Sequence, residues 1–301
     1  MFKRVILIFS FIFTLIGCGG GGYNGAPKDT ATDLPSSPAE SSKADISYYN
    51  SKKIALASYN ATGIAKDGNY GDMFYKRKIS DSQKILKALS KEAKALSSRA
   101  IAYDKKEYCE DGGSYTSTIL SSNETEVNYN NCKIDGEIYD GNAVVKKLNS
   151  NYVTVTFKDF KIQNSNEQLT ITKAIFKIDG TTSTVKIENM YAIDKKDGKT
   201  TTYLNYNTSY ISDQNANRGI LTFNGWIKND CTNGYVYVDS TNEIGFDFNT
   251  GFISGSMQVS SKGDRVTLSF EDDTLRIYDT NGRLEVIDIN NLQYEIEQAC
   301  N

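Results

Sequence analysis

The sequence predicts a mainly β fold with an N-terminal helical segment. In it a long antiparallel meander, forming a curved open barrel or a sandwich, packs against one amphipathic helix. Three observations carry that expectation. From Cys109 onward apolar and polar residues alternate with period 2, as Val153, Val155 and Phe157 do against Thr154, Thr156 and Lys158, which is the pattern of half-buried strands. Dipeptides suited to positive φ recur between these runs: Asp135-Gly136, Asp140-Gly141, Asp179-Gly180, Asp197-Gly198, Asn233-Gly234 and Asn281-Gly282. Links this short join only antiparallel neighbours, because a parallel crossover needs a dozen residues or more. Lastly, Asp81 to Tyr103 carries the clearest helical period, with Ile85, Leu89, Ala93, Leu96 and Ala100 on one stripe.

Taken from its start, the chain sets Lys3 and Arg4 before an apolar run, Val5 to Ile16, broken only by Ser10 and Thr14. A bilayer span needs about 20 apolar residues, so this shorter run fits the core of an export signal. Leu15-Ile16-Gly17-Cys18 follows and resembles the lipobox of bacterial lipoproteins. The resemblance implies that residues 1–17 are a signal peptide, that Cys18 becomes the N-terminus, and that its sulfur and freed amine are acylated. Each buried CH₂ contributes about 0.8 kcal/mol, so two or three chains hold a protein on a membrane essentially permanently. Gly19 rather than aspartate follows the cysteine, which by the same resemblance implies the outer membrane of the bacterial cell envelope.

Residues 18–45 read as an acylated cysteine and a disordered tether, with Gly19 to Gly22 and all three prolines, Pro27, Pro35 and Pro38. As a flexible coil it spans about 30 Å. Residues 46–108 read as a mainly helical lead. Asn50 is placed to cap a short helix from Ser51 to about Tyr59, and Gly63, Gly68 and Gly71 break the chain after it. Ser80 with Gln83 forms a capping box for the longer helix, whose Lys84, Lys87, Lys91 and Lys94 read as a solvated face. Residues 109–301 form the β domain. Cys109 before Gly112-Gly113 and Cys231 before Asn233-Gly234 suggest two similar halves meeting near Asn217. The layout is similar to uncharacterised bacterial lipoproteins with a helical lead and cysteine-bracketed hairpins, a likeness that brings no activity with it.

Setting Cys18 aside leaves Cys109, Cys132, Cys231 and Cys300, an even number that in an exported chain reads as two disulfides. Of the three possible pairings, 109 with 132 and 231 with 300 each close within one half of the chain. Such loops stabilise by about 3 to 4.5 kcal/mol each in the chain-entropy model. Zinc would need close-set ligand pairs, and these cysteines are far apart in sequence.

The chain has no histidine, which removes the commonest general base and metal ligand together with Ser-His-Asp and Cys-His arrangements. Gly198-Lys199-Thr200 resembles the end of a phosphate-binding loop, but Ile193 stands where that motif needs glycine. Ser183-Thr184-Val185-Lys186 has the spacing of a penicillin-binding nucleophile and lysine without that family's other motifs. Asp135, Glu137 and Asp140, and likewise Glu271, Asp272 and Asp273, crowd as carboxylates do at calcium sites but lack EF-hand spacing. Neither a metal nor a cofactor is expected. A net charge of −3 offers no attraction to nucleic acid. Tyrosine is abundant, at 20 residues. Tyr203, Tyr206, Tyr235 and Tyr237, alternating with Thr and Asn, are the candidates for a polar-aromatic binding face. The resulting expectation is a non-catalytic, lipid-anchored envelope protein with a binding or structural role. Its partners are the membrane, through the acyl chains on Cys18, and an envelope protein, glycan or lipid. A periplasmic carrier of lipid or another hydrophobic ligand in an open curved sheet is one alternative, and a carboxylate-dependent glycan hydrolase is the second.

Overall fold

The computed structural model describes residues 37–67, 92, 95–96, 105–149, 152–179, 182–195, 198–213, 218–247, 253–271 and 274–300. The expected signal peptide, Cys18 and most of the tether lie outside the described residues. So does most of the helix expected over Asp81 to Tyr103, of which Glu92, Ala95 and Leu96 are described and helical.

Fourteen strands follow one another in a single sheet whose spatial order is the sequence order. They are β1 (Lys105–Tyr108), β2 (Ser114–Ser121), β3 (Glu124–Ile134), β4 (Glu137–Lys147), β5 (Tyr152–Gln163), β6 (Glu167–Asp179) and β7 (Thr182–Asp194). The second seven are β8 (Thr200–Asp213), β9 (Arg218–Asn229), β10 (Val236–Asp247), β11 (Ile253–Ser261), β12 (Asp264–Glu271), β13 (Thr274–Tyr278) and β14 (Leu284–Asp288). All neighbouring strands run antiparallel. Strands β1 and β14 are the two edges, so the meander is an open, curved sheet and not a closed barrel. Pairing of β8 with β9 runs from Thr201↔Asn229 to Asp213↔Arg218. The sheet is therefore continuous through the region where two halves were expected to meet.

Period-2 alternation gives the sheet one apolar face, and helices cover it. Helix α1 (Ser51–Asp67) packs on it and against the helix formed by Leu292–Cys300, burying Ile54, Ala55, Leu56 and Ala61. Tyr203 donates its hydroxyl to the Ala61 carbonyl at 2.9 Å, and the Tyr59 ring lies 5.2 Å from that of Phe270. Nearer the β1 edge, Leu96 is fully buried and Glu92 accepts the Tyr129 hydroxyl. Around them Tyr129, Phe160 and Phe157 form a chain of ring contacts at 5.5 and 4.7 Å. Burial raises the pKa of the Tyr139 phenol here, with the charges of Glu137 and Glu92 adding to it.

Four local expectations are corrected. Helix α1 runs through Gly63 to Asp67 rather than ending near Tyr59, because packing of its small residues on the sheet overrides one glycine's helix penalty of about 1 kcal/mol. Asn50 does not cap it. Its side chain accepts the Ser47 N–H at 2.7 Å and donates to the Asp45 carbonyl at 2.8 Å, fixing the turn before the helix. The tether does not stay free as far as Asp45, since Tyr235 donates its N–H to Ser42 and its carbonyl accepts that of Ala44, both at 2.9 Å. Gly234 permits this approach, because a Cβ there would lie 2.5 Å from the Ala44 nitrogen. Finally, the chain ends in a helix, α2 (Leu292–Cys300), which buries Leu292 and Ile296.

Lys52 of α1 bonds Glu285 of β14 at 2.5 Å and Glu295 of α2 at 2.9 Å, joining three elements. Burial draws its pKa down, but the bonds and charges of the two glutamates outweigh that and raise it. The cysteines pair as expected. Cys109 and Cys132 have their Cα atoms 5.4 Å apart, and Cys231 and Cys300 5.3 Å apart. The second bond ties the end of α2 to the β9–β10 connection.

Candidate binding face on the uncovered side of the sheet

Among the described residues no helix covers the opposite, outer face. Its composition follows from strand parity: Val185, Thr208 and Phe223 are buried toward the helices, so Thr184, Lys186, Asn207, Ser209, Thr222 and Asn224 beside them point outward. Register then arranges the outward side chains in rows across neighbouring strands. One row runs Ile175, Lys186, Asn207, Asn224, Asp239 over β6 to β10. A second runs Lys177, Thr184, Ser209, Thr222. On the other side of the first row, Leu204 pairs with Trp226 and Trp226 with Tyr237.

A bulge in β8 separates the amide row from the aromatic row. Leu204 pairs with Trp226 and Asn207 with Asn224, so Asn205 and Tyr206 together oppose Gly225. Asn205 takes a φ of 52° and Gly225 a φ of 146°. A Cβ on Gly225 would meet the Tyr206 Cα at 2.5 Å, so only glycine fits this position. Ser240 patches the neighbouring irregularity in β10, accepting the Phe223 N–H at 2.9 Å and donating to the Phe223 carbonyl at 3.2 Å.

Between the two polar rows lies a groove of about 440 Å³, with Ile175 as an apolar contact and Lys177, Lys186, Asn207, Asn224 and Asp239 as its principal polar groups. Asn207 donates from its amide to that of Asn224 at 3.0 Å, leaving each amide further capacity for hydrogen bonds. Burial raises the pKa of the Asp239 carboxyl. The Tyr237 phenol is raised as well, by burial and then by the Asp239 charge. Trp226 and Tyr237 meet edge to face at 5.3 Å, and the Lys43 ammonium lies 5.1 Å from the centre of the Trp226 ring. Tyr235 lies under the Lys228 ammonium at 5.9 Å, and burial raises its pKa too.

Of the four candidate tyrosines, Tyr235 and Tyr237 are half-buried on this outer face. Tyr203 and Tyr206 are corrected: they are 0% and 1% exposed, packed against each other on the helix side with ring centres 5.4 Å apart. Burial holds both phenols neutral well above the ordinary range. Parity alone would place residues three apart on opposite faces, and the Asn205 bulge turns both inward. Sequence reasoning missed Trp226, Asn207, Asn224, Asp239 and Lys186. The signal for them was the Asn224-Gly225-Trp226 sequence, where a glycine inside a strand marks a bulge.

The other motifs have structural employment. Thr200 donates its N–H and hydroxyl to Asp230 at 2.7 and 2.9 Å, and the Gly198 N–H closes a turn on Asp194. Glu137 accepts the Tyr139 hydroxyl at 3.2 Å, and Asp140 the Asn131 N–H at 3.3 Å. Among the described residues no cluster of three acidic or cysteine side chains is set to hold a metal ion. Asp272 and Asp273 lie outside those residues. No family model, curated protein or solved structure matches the chain.

Proposed function

We propose that this is a non-catalytic, lipid-anchored binding protein of the bacterial cell envelope, held on the outer membrane through acyl chains on Cys18, and that it engages its ligand on the outer face of its sheet. The observation carrying this reading is the contrast between the two faces. One is filled by α1, Leu96 and buried rings. The other bears amide and hydroxyl rows bordering a groove of about 440 Å³, with the Trp226 and Tyr237 rings beyond the amide row. A carrier of acyl chains needs an empty apolar cradle, whereas the described part of the helix side is packed. A glycan hydrolase needs two opposed carboxyl groups. Among the described residues lining the groove, Asp239 supplies the one carboxyl, which favours binding over hydrolysis.

Hydroxyl-radical footprinting tests the binding face. Trp226, Tyr235 and Tyr237 should be protected in intact envelopes relative to the purified protein, and equal reactivity in both would remove the reading. Anchorage is tested separately. A Cys18→Ser variant should leave the envelope fraction and lose palmitate label, and co-sedimentation like the parent's would refute lipidation.

A further inference from the structure

The outer face does not suit every ligand equally, and its chemistry narrows the class. We infer that the outer face binds an acidic oligosaccharide that lies along the groove and across the amide row, with sugar rings reaching Trp226 and Tyr237 beyond that row, hydroxyls on Asn207, Asn224 and Asp239, and a carboxylate on Lys186. The inference rests on the binding-face reading and adds the ligand class to it.

Three features point the same way. The tryptophan and the amide row are two residues apart on β9, as Tyr237 and Asp239 are on β10. Side chains spaced so on one face of a strand lie about 7 Å apart, within the span of one or two pyranose rings. A sugar offers an apolar ring face and a rim of hydroxyls. The site answers with aromatic surface beside side-chain amides and a carboxyl that donate and accept in one plane. Charge supplies the third feature. The chain as a whole is net negative, at −3, yet Lys186 lines a groove in which Asp239, three strands away along the same row, is the one carboxyl among the described lining residues. Among the described residues Lys186 has no carboxylate partner, and its neighbours across the ladder are Ile175 and Asn207. A ligand carboxylate would complete it with a charge-assisted hydrogen bond.

Trp226 is the only tryptophan in the chain, so its emission reports on this site alone. Full-length protein in detergent micelles is titrated with a hexamer of galacturonic acid and with the same hexamer after its carboxyls are reduced to alcohols. The acidic hexamer should shift Trp226 emission and bind about tenfold more tightly than the reduced one. That advantage should shrink as salt is raised. Lys186→Gln should bring the acidic hexamer to the level of the reduced one while leaving reduced-hexamer binding in place, which also shows that the variant is folded. Lys53→Gln, on the exposed side of α1, should change nothing. Equal affinity for the two hexamers, or equal losses from Lys186→Gln and Lys53→Gln, would overturn the acidic specificity. Silence toward both hexamers with Trp226 still protected on envelopes would overturn the glycan and leave the binding face standing. Silence without protection would overturn both.

Discussion

Tyr206 and Asn207 are adjacent in the chain and belong to different worlds. Tyr206 is sealed among Tyr203 and Phe223 on the helix side, while Asn207 lines an open groove with a partner amide. The same division runs along most of the sheet. The inner positions hold Val, Ile, Leu, Phe and Tyr with almost no exposure. The outer ones of the central strands hold mostly Lys, Thr, Ser, Asn and Asp, with apolar or aromatic residues such as Ile175, Leu204, Trp226 and Tyr237 among them. One face holds the fold together and the other is nearly free of that duty. The two faces should therefore respond to substitution in opposite ways, through stability on one side and through binding on the other.

The sharpest break comes from the inner face. Phe157 is fully buried between Phe160 and Phe176, and Phe157→Ala should cost about 3 to 5 kcal/mol in denaturant unfolding. A loss under about 1 kcal/mol would mean the core is not packed as described. Next comes the staple near the β1 edge. Replacing Cys109 and Cys132 together by alanine should remove about 3 kcal/mol, from a loop with sequence separation 23. The intact protein's melting temperature should likewise fall on reduction with a thiol reagent.

A smaller effect is expected at Lys52, which helps hold α1 over the inner face through Glu285 and Glu295. Because its side chain is 37% exposed, Lys52→Met should cost under about 1 kcal/mol. Its pKa is raised on folding above 10.5, so the folded state holds the proton more tightly. The stabilisation should be fully present below pH 10.5 and fade as pH climbs through the folded value. Thermal melts of parent and variant should thus converge in strong alkali. The smallest change in stability belongs to the outer face. Thr222→Ala and Lys186→Gln should each stay within about 0.5 kcal/mol of the parent. Thr222→Ala destabilising as much as Phe157→Ala would erase the distinction between the faces.

Much of this fold was legible because it is built from local rules. Val153 to Lys158 alternates as β5 does, Asp135-Gly136 and Asn233-Gly234 adopt the positive φ angles their dipeptides favour, and the cysteines join within the segments that contain them. What escaped reading depended on tertiary context. Helix α1 continues through Gly63 because the packing of its earlier turns outweighs one glycine's helix penalty, and α2 is too short a segment to stand out by periodicity beside so many strands. Ser42 to Ala44 look like tether in composition, and only Tyr235 and Gly234, far along the chain, give them a place to bind. The site suffered from the same limit. Tyr235 and Tyr237 could be placed on an outward face, but Tyr203 and Tyr206 could not be assigned without the bulge between them, and the rows through Asn207, Asn224 and Asp239 exist only once five strands are in register.

The strictly sequential order of the fourteen strands has a bearing on how the chain reaches its native state. Each strand pairs with the one just before it, so no strand of the sheet must wait for a distant strand, and the loop-closure entropy of every strand-pairing step is that of a hairpin. The sheet can lengthen from either border one strand at a time, like a fabric knitted row by row. The Cys231–Cys300 bond then fastens the final helix once the last row is in place.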